Sequence, residues 1–353
     1  MGKLKELPLS DKSGWPWNEE VSSSIFEESG IVWPKISIVT PSYNQGNFIE
    51  ETIRSIILQN YPNLEYIIID GGSNDASIEI IDRYSPWIQY WVSEKDNGQS
   101  DALIKGFAKS TGLILNWINS DDILCKEGLF HIARKFIDNP KTELVHGRNG
   151  IININSILYS YMPHPKDNLQ IRYLYEMPYG QQACFFTAEI YKKVGGINRD
   201  IQFSMDYELY LRMHLQGAKA TQIDQLIGCI RTHESTKTSQ MERTMYLENG
   251  NAFLTLLNNA GESTYASFLE KMGHKFYLPY EITIKLNHEI LKSAYTLFLS
   301  KNIWHYYNNK NYTVSFKMAI ELIKLNKKYL FNLNYLKIIK DGTKSILQSI
   351  WTR

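Results

Sequence analysis

At 353 residues, with 43% apolar and 21% charged side chains, the chain can form one large domain or two, with a substantial buried core. A formal net charge of +1 argues against a nucleic-acid binder, and three scattered cysteines (Cys125, Cys184, Cys229) without a CxxC pair argue against a disulfide framework or a zinc site. No apolar run approaches the ~18 residues that span a bilayer, and the start, MGKLKELPLS, lacks the apolar stretch of a secretory signal, so the expectation is a cytoplasmic protein.

Residues 1–34 are polar and broken by Gly14, Pro16 and Pro34, with Trp15, Trp17 and Trp33 interspersed; they read as an arm whose tryptophans pack onto the body. From Lys35 a repeating pattern begins. The runs KISIVT, LEYIIID, IQYWVSE and LILNWIN predict four strands, followed by helices around 48–59, 76–84, 100–109 and 127–137. Strands alternating with helices over short loops predict parallel βαβ units covered by helices. Beyond Lys141 the pattern loosens, with helices expected near 187–194 and 205–216 and a strand-like run at 225–230. The region 35–235 is therefore taken as one α/β domain, and 236–353 as a helical region rich in Lys, Tyr, Phe, Leu and Ile.

Ligands of such sheets bind outside the carboxyl ends of the strands. Every run here ends in a polar loop: Pro41-Ser42-Tyr43-Asn44, Asp70-Gly71-Gly72-Ser73, Lys95-Asp96-Asn97-Gly98-Gln99, and Asn119-Ser120-Asp121-Asp122. Four in succession describe one rim. Asp121-Asp122 suits a hard cation such as Mn2+ or Mg2+, which binds through one or two carboxylates plus substrate phosphates; a helix cap is the competing reading. Asp70 could accept from a base N–H or ribose hydroxyl, or belong to an Asp-Gly-Gly turn. Asp206 opens a helix, where a carboxylate either complements the dipole or acts as a general base. After the run at 225–230, Arg231 could neutralise a diphosphate and His233 could ligate a metal, although a lone histidine is more often structural. The chain has no GxGxxG after a strand and no GxxxxGK[ST], so phosphates would be handled by metal and side chains.

These residues, in this order, resemble the family 2 glycosyltransferases of bacterial surface-polysaccharide type, which have the GT-A fold: a Rossmann-like nucleotide-diphospho-sugar transferase sheet with helices on both faces. The resemblance covers about Lys35 to Thr238. It rests on ISIVTPSYNQGNFIEETIRSIILQNYPNLEYIIIDGGSND, SEKDNGQSDALIKGF, NWINSDD, GQQACFFTAEIYKKVGGIN, SMDYELYLRM and RTHESTKTS. It implies that Thr40, Pro41, Ser42, Tyr43 and Asp70 line a nucleotide-base pocket and that Asp101 and Lys105 lie near ribose and diphosphate. It further implies that Asp121, with Asp122 beside it, holds the metal. Asp206 matches the family's catalytic base, His233 a further metal or diphosphate contact, and Gln181 and Gln182 the acceptor side. Two positions depart from the family pattern: Asn119 stands for the first acid of the DxD motif, and Gly71 for the second acid after the second strand.

The implied activity is inverting transfer from a nucleotide diphosphate-sugar, UDP favoured, to a hydroxyl of a saccharide or lipid-linked acceptor. A sugar-1-phosphate nucleotidyltransferase is the alternative, as is a non-catalytic nucleotide-sugar binding module. From Ile282 onward twelve basic residues face three acidic ones, against twenty-six and thirty-four in the remainder. This basic tail either packs on the body or holds the protein peripherally at an anionic membrane.

Overall fold

A computed structural model describes residues 2–163, 169–177, 179–234, 236–277 and 279–351. The chain divides into two compact units, Met1–Lys166 with Met177–Glu242, and Asp167–Glu176 with Arg243–Arg353.

In the first unit the four apolar runs become β1 (Ile36–Ser42), β2 (Leu64–Asp70), β3 (Tyr90–Ser93) and β4 (Ile114–Trp117). Between them lie α1 (Ile49–Ile57), α2 (Ser77–Arg83) and α3 (Gln99–Lys109); β5 (Ile123–Leu124) and α4 (Gly128–Asp138) follow. β1 is buried along its whole length, as expected of a parallel strand covered on both faces. α1 turns Ile49, Ile53, Ile56 and Ile57 inward at helical spacing and carries Glu50 and Glu51 in its first turn, where the helix dipole favours them.

The second half of the sheet was less visible in the sequence. It contains β6 (Leu144–Ile152) and β7 (Leu158–Tyr161), then, after α5 (Leu169–Tyr175) of the second unit, β8 (Cys184–Thr187) and β9 (Ala220–Arg231). Helices α6 (Ala188–Lys193), α7 (Met205–Leu215) and α8 (Lys237–Gln240) accompany them. Among the described residues the strands form one mixed sheet in the order β3-β2-β1-β4-β8-β6-β9-β5, with β7 on β6. The first four are mutually parallel, β8 is antiparallel to β4 and β6, and β9 runs parallel to β6 and antiparallel to β5. β6 and β9 pair through register shifts at His146–Asn149, and a Cβ on Gly147 would lie 2.3 Å from Ile227 Cγ1. Polar, glycine-bearing LVHGRNGII is thus a strand because β9 needs that close approach, which no alternation reveals.

β1 has β2 on one side and β4 on the other, so the strand order reverses there and opens a crevice at the carboxyl ends. Residues 1–34 belong to this unit. Trp17 and Trp33 are buried, and Trp15 Nε1 donates to Leu124 O at 2.8 Å. The buried Arg54 of α1 donates to the carbonyls of Pro8 (3.0 Å), Pro16 (3.1 Å) and Trp17 (2.7 Å) and to Tyr84 Oη (2.9 Å), tying the leading segment to the body. Cys125 and Cys229, 104 residues apart, meet across β5 and β9 with sulfurs 3.5 Å apart, both as free thiols.

The second unit is helical over its described residues: α5, α9 (Glu242–Asn259), α10 (Ser263–Lys271), α11 (His288–Asn308), α12 (Tyr312–Leu325) and α13 (Leu333–Trp351). Phe253 stacks on Phe298 at 4.8 Å and Tyr265 on Tyr295 at 4.4 Å, giving the unit an aromatic core. Among the described residues no helix is long and apolar enough to cross a membrane.

Candidate active site

The crevice is a cleft of about 700 Å³, within the size range of small-molecule sites, and lies wholly within the first unit. Its lining includes Pro41, Ser42 and Tyr43 at the end of β1, Gly71 and Gly72 after β2, residues 95–100 after β3, and residues 119–122 after β4. The four polar loops thus form one rim. Gln181, Gln182, Arg199, Asp206, Arg231 and Lys237 join them from the second half of the sheet.

Asp121 sits on the turn between β4 and β5, which closes through Asp122 N donating to Asn119 O at 3.0 Å. β5 intervenes before α4, so neither Ser120 nor Asp122 caps that helix. Asp121 Oδ2 lies 3.2 Å from His233 Nε2, and the His233 ring packs 4.7 Å from that of Phe48. Sequence reading joined these two residues across 112 positions, and the structure brings them together. An oxygen and an imidazole nitrogen suit a hard divalent cation that takes its remaining ligands from phosphates and water.

Asp122 is placed differently. It is buried, and it accepts from Arg231 N at 2.9 Å, Gln182 Nε2 at 2.6 Å and Asn119 Nδ2 at 2.9 Å. Burial, then the adjacent Asp121 charge, pushes its pKa up to about 8. A cation at Asp122 would have to displace three donors, so this carboxylate braces the turn behind Asp121. Asn119 shares the bracing, since its Oδ1 accepts from Gln99 Nε2 at 2.7 Å.

Four further expectations meet a geometry that the sequence did not reveal. Arg231, read as a neutraliser of diphosphate, has a buried guanidinium whose donors are engaged inside the protein. Nη2 pairs with Glu51 Oε2 at 2.9 Å, Nη1 donates to Asn153 O (3.1 Å) and Ser156 Oγ (2.9 Å), and Nε donates to Asp121 O (2.7 Å). Asp70 is buried outside the cleft lining and accepts from Gly72 N, Ser73 N, Ser73 Oγ and Ser93 Oγ, so the turn reading holds for its carboxylate. Thr40 is buried in β1 with Oγ1 3.1 Å from Tyr66 Oη, also outside the lining. Asp101 and Lys105 pair at 3.6 Å beside the rim; Lys105 also holds Glu94 at 2.8 Å, and neither lines the cleft.

Asp206 occupies the first turn of α7 and lines the cleft. Its helix is anchored by the buried Tyr207, Leu209 and Leu211, and by Arg212, which donates to Glu208 Oε2 and Gly196 O at 2.7 Å each. Gln182 is a structural residue, held by Asp122 and by Asn149 Nδ2 at 3.2 Å. Gln181 directs its amide N–H groups to Asn116 Oδ1 (3.0 Å) and Trp117 O (2.6 Å), while its Oε1 is buried with no partner among the described residues. Ser42 Oγ is likewise buried and unpartnered among them. Two orphan acceptors in a cleft wall are places for a ligand's donors. Sequence reading placed Lys95 on the rim but missed the cleft's basic residues Arg199 and Lys237; nothing in their spacing marks them, because loop geometry alone brings them to the cleft.

A parallel half-sheet with an acidic cleft at its carboxyl ends, extended by a mixed half that supplies a helix-borne carboxylate, is the architecture of a GT-A type sugar transferase. Residues 37–194 match the family model Glycosyl transferase family 2, so the chain carries a glycosyltransferase domain of that family. An uncharacterized glycosyltransferase of Mycobacterium tuberculosis (strain CDC 1551 / Oshkosh) is 28% identical over 186 residues, 52% of this chain and 70% of its own. In fold, the chain is similar to S. aureus TarS in complex with UDP (TM-score 0.54, 14% identity, 81% of this chain and 80% of that one). It is also similar to the Pyrobaculum calidifontis mannosyltransferase PcManGT in complex with GDP-Man and Mn2+ (TM-score 0.50, 16% identity, 94% and 92%).

Proposed function

We propose that the protein transfers a sugar from a nucleotide diphosphate-sugar, UDP favoured, to a hydroxyl of a saccharide or lipid-linked saccharide in polysaccharide biosynthesis, inverting the anomeric centre. The observation that carries this reading is that Asp121 and Asp206, from opposite halves of the sheet, line one cleft. Asp121 and His233 would hold Mn2+ or Mg2+, as the 3.2 Å approach of their polar atoms supports. Bound there, such an ion supplies electrostatic stabilisation to the departing diphosphate. Arg199 and Lys237 add positive charge on the wall that carries Asp206. Gln181 Oε1 accepts from a sugar hydroxyl. Asp206 takes the proton of the acceptor hydroxyl while that oxygen bonds to the anomeric carbon and the bond to the phosphate oxygen breaks on the opposite side, which inverts the centre.

A nucleotidyltransferase would cradle phosphates on the loop after β1. Here the loop carries no Lys or Arg, and its amides serve the fold: Asn44 N donates to Ser73 Oγ (2.8 Å), Gln45 N to Ser77 Oγ (3.0 Å) and Gly46 N to Asp75 Oδ2 (2.8 Å). Calorimetric titration of UDP, GDP and dTDP, with and without Mn2+, tests the transferase reading. Binding of one nucleotide is expected to need Mn2+ and to weaken at least about tenfold in Asp121→Ala, the loss of one charge-assisted ligand. Metal-independent binding that survives in Asp121→Ala would end the metal assignment, and no binding at all would end the transferase reading.

The second unit supports a peripheral membrane contact through an anionic bilayer. On α13, Leu336, Lys340, Thr343 and Leu347 recur every three or four residues on one exposed face, with Lys337 and Lys344 beside them. Leu330 and Phe331 are exposed just before the helix, next to Lys327 and Lys328. The nearby acids are occupied: Glu321 holds Lys324 at 3.2 Å, and Asp341 accepts from Tyr307 Oη at 2.6 Å. Lysines interleaved with apolar residues suit the headgroup boundary. The protein is expected to co-sediment with phosphatidylglycerol vesicles at low ionic strength and to release at high salt. Replacing Lys337, Lys340 and Lys344 by Gln should weaken binding about 100-fold, at roughly 1 kcal/mol for each basic residue. Equal binding of the triple variant, or none by wild type at low salt, would refute the contact.

A further inference from the structure

The carboxylate that sequence reading assigned to the base, Asp70, is consumed by four donors of its own turn. The β2–β3 side of the cleft nevertheless holds a carboxylate. Asp96, in the loop after β3, lines the cleft and lies against Gly71, where a Cβ would stand 2.9 Å from Asp96 Oδ2. The missing side chain at Gly71 is the space that Asp96 fills. Its Oδ1 accepts from Gly98 N at 2.8 Å, which fixes the carboxylate plane, and no hydrogen bond from the described residues reaches Oδ2.

The sheet order gives this carboxylate its place relative to the phosphates. Asp121 follows β4, and β4, β1 and β2 are consecutive neighbours. At about 4.8 Å per strand, the end of β2 stands roughly 10 Å across the sheet from the end of β4. A nucleotide whose diphosphate lies at Asp121 and His233 and whose base lies beyond its ribose would therefore reach Gly71 and Asp96. Tyr43, 62% exposed, stands in the lining just after the intervening β1 and offers a flat surface to a base.

Resting on the transfer reading above, we propose that Asp96 reads the base of the donor nucleotide and that this base is uracil or thymine. Asp96 Oδ2 accepts the N3–H of the imide edge, and Lys95, on the same stretch of lining, supplies a donor for a flanking carbonyl. One oxygen free and one already bonded to Gly98 match a single ring N–H. Guanine presents two adjacent donors and would require Oδ1 to accept a second bond beside that of Gly98. Burial raises the Asp96 pKa, a cost to the charged form that a donor from the base would offset.

Cytosine separates a reading contact from a structural one, because it carries an acceptor at N3 where uracil carries a donor. In Asp96→Asn the amide oxygen can keep the bond from Gly98 N, while the amide N–H can donate to cytosine. UDP, dTDP, CDP and GDP would be titrated with Mn2+ against the full chain and this variant. Wild type is expected to prefer UDP or dTDP, and the comparison of these two separates uracil from thymine. In Asp96→Asn the affinity for that nucleotide should fall about tenfold or more, as for a lost hydrogen bond to a charged group, and the CDP-to-UDP affinity ratio should rise by more than that factor. An unchanged ratio, or a wild type that prefers GDP, overturns the assignment of Asp96 and leaves the transferase standing. Absence of binding by all four overturns both.

Discussion

Asp206→Asn is expected to lower kcat by about 10²–10⁴-fold, the usual worth of a positioned general base, while nucleotide affinity in the presence of Mn2+ stays within about twofold. Asn preserves the shape of the side chain and an oxygen for the 2.8 Å bond from Tyr207 N, so the start of α7 keeps its geometry. The variant gives up the favourable interaction of a carboxylate with the helix N-terminus, about 0.3–1 kcal/mol, which the buried Tyr207, Leu209 and Leu211 tolerate. Removal of an interaction made only in the transition state lowers kcat and kcat/KM together. Turnover above a tenth of wild type would rule Asp206 out as the base. A parallel loss of nucleotide affinity would move it to the donor-binding wall instead.

The division of labour in the cleft explains why charge alone was a poor guide to function. Asp121 and Asp122 are adjacent in sequence, yet the β4–β5 turn sends one toward His233 and the other into a cage of three donors. The cage fixes the turn through Arg231, Gln182 and Asn119, and so fixes the direction of Asp121. A site that must hold a cation and a diphosphate in register gains from ligands that cannot swing, since positioning is a large part of such catalysis. Two neighbouring carboxylates thus perform different tasks, one facing ligand and one facing protein.

The parallel half of the fold was legible because its signals are local. KISIVT and LEYIIID are apolar runs too short for helices, and the intervening stretches have helical spacing, so β1 to β4 and α1 to α4 fall close to where the pattern placed them. β6 and β8 were not legible, since their partners lie far along the chain and β6 is interrupted by His146, Arg148 and Asn149. The same distinction runs through the site. The rim loops could be found from strand ends alone. The orientation of a side chain could not, so Asp70, Thr40, Asp101 and Lys105, which lie off the cleft lining, and Arg231, which lines it with its guanidinium bonded into the protein, were all assigned to the ligand. Asp96 was read only as part of the rim for the converse reason: its significance depends on a side chain that Gly71, twenty-five residues earlier, lacks.

Arg231→Met provides the sharpest test of the role of that residue, with an expected destabilisation of about 3–5 kcal/mol, the cost of removing one partner from a buried ion pair. Glu51 Oε1 already has no partner among the described residues and Oε2 would keep only the 2.8 Å bond from Ser156 Oγ, so loss of Arg231 leaves a buried carboxylate without its counter-charge. Asn153 O and Asp121 O lose their donors as well. For a unit of this size each kcal/mol shifts Tm by roughly 2–4 °C, so the midpoint should drop by about 6–20 °C in a calorimetric scan. Adding Glu51→Leu removes the stranded carboxylate and should recover a large part of the loss, because the penalty comes mainly from the unpaired charge. A residue that instead faced a diphosphate would behave in the opposite way. Tm would barely move, the second substitution would restore nothing, and UDP affinity would fall about 100-fold, the charge-assisted bonds to phosphate having gone. Tm and nucleotide affinity, measured on the same two variants, therefore separate an arginine that builds the site from one that works in it.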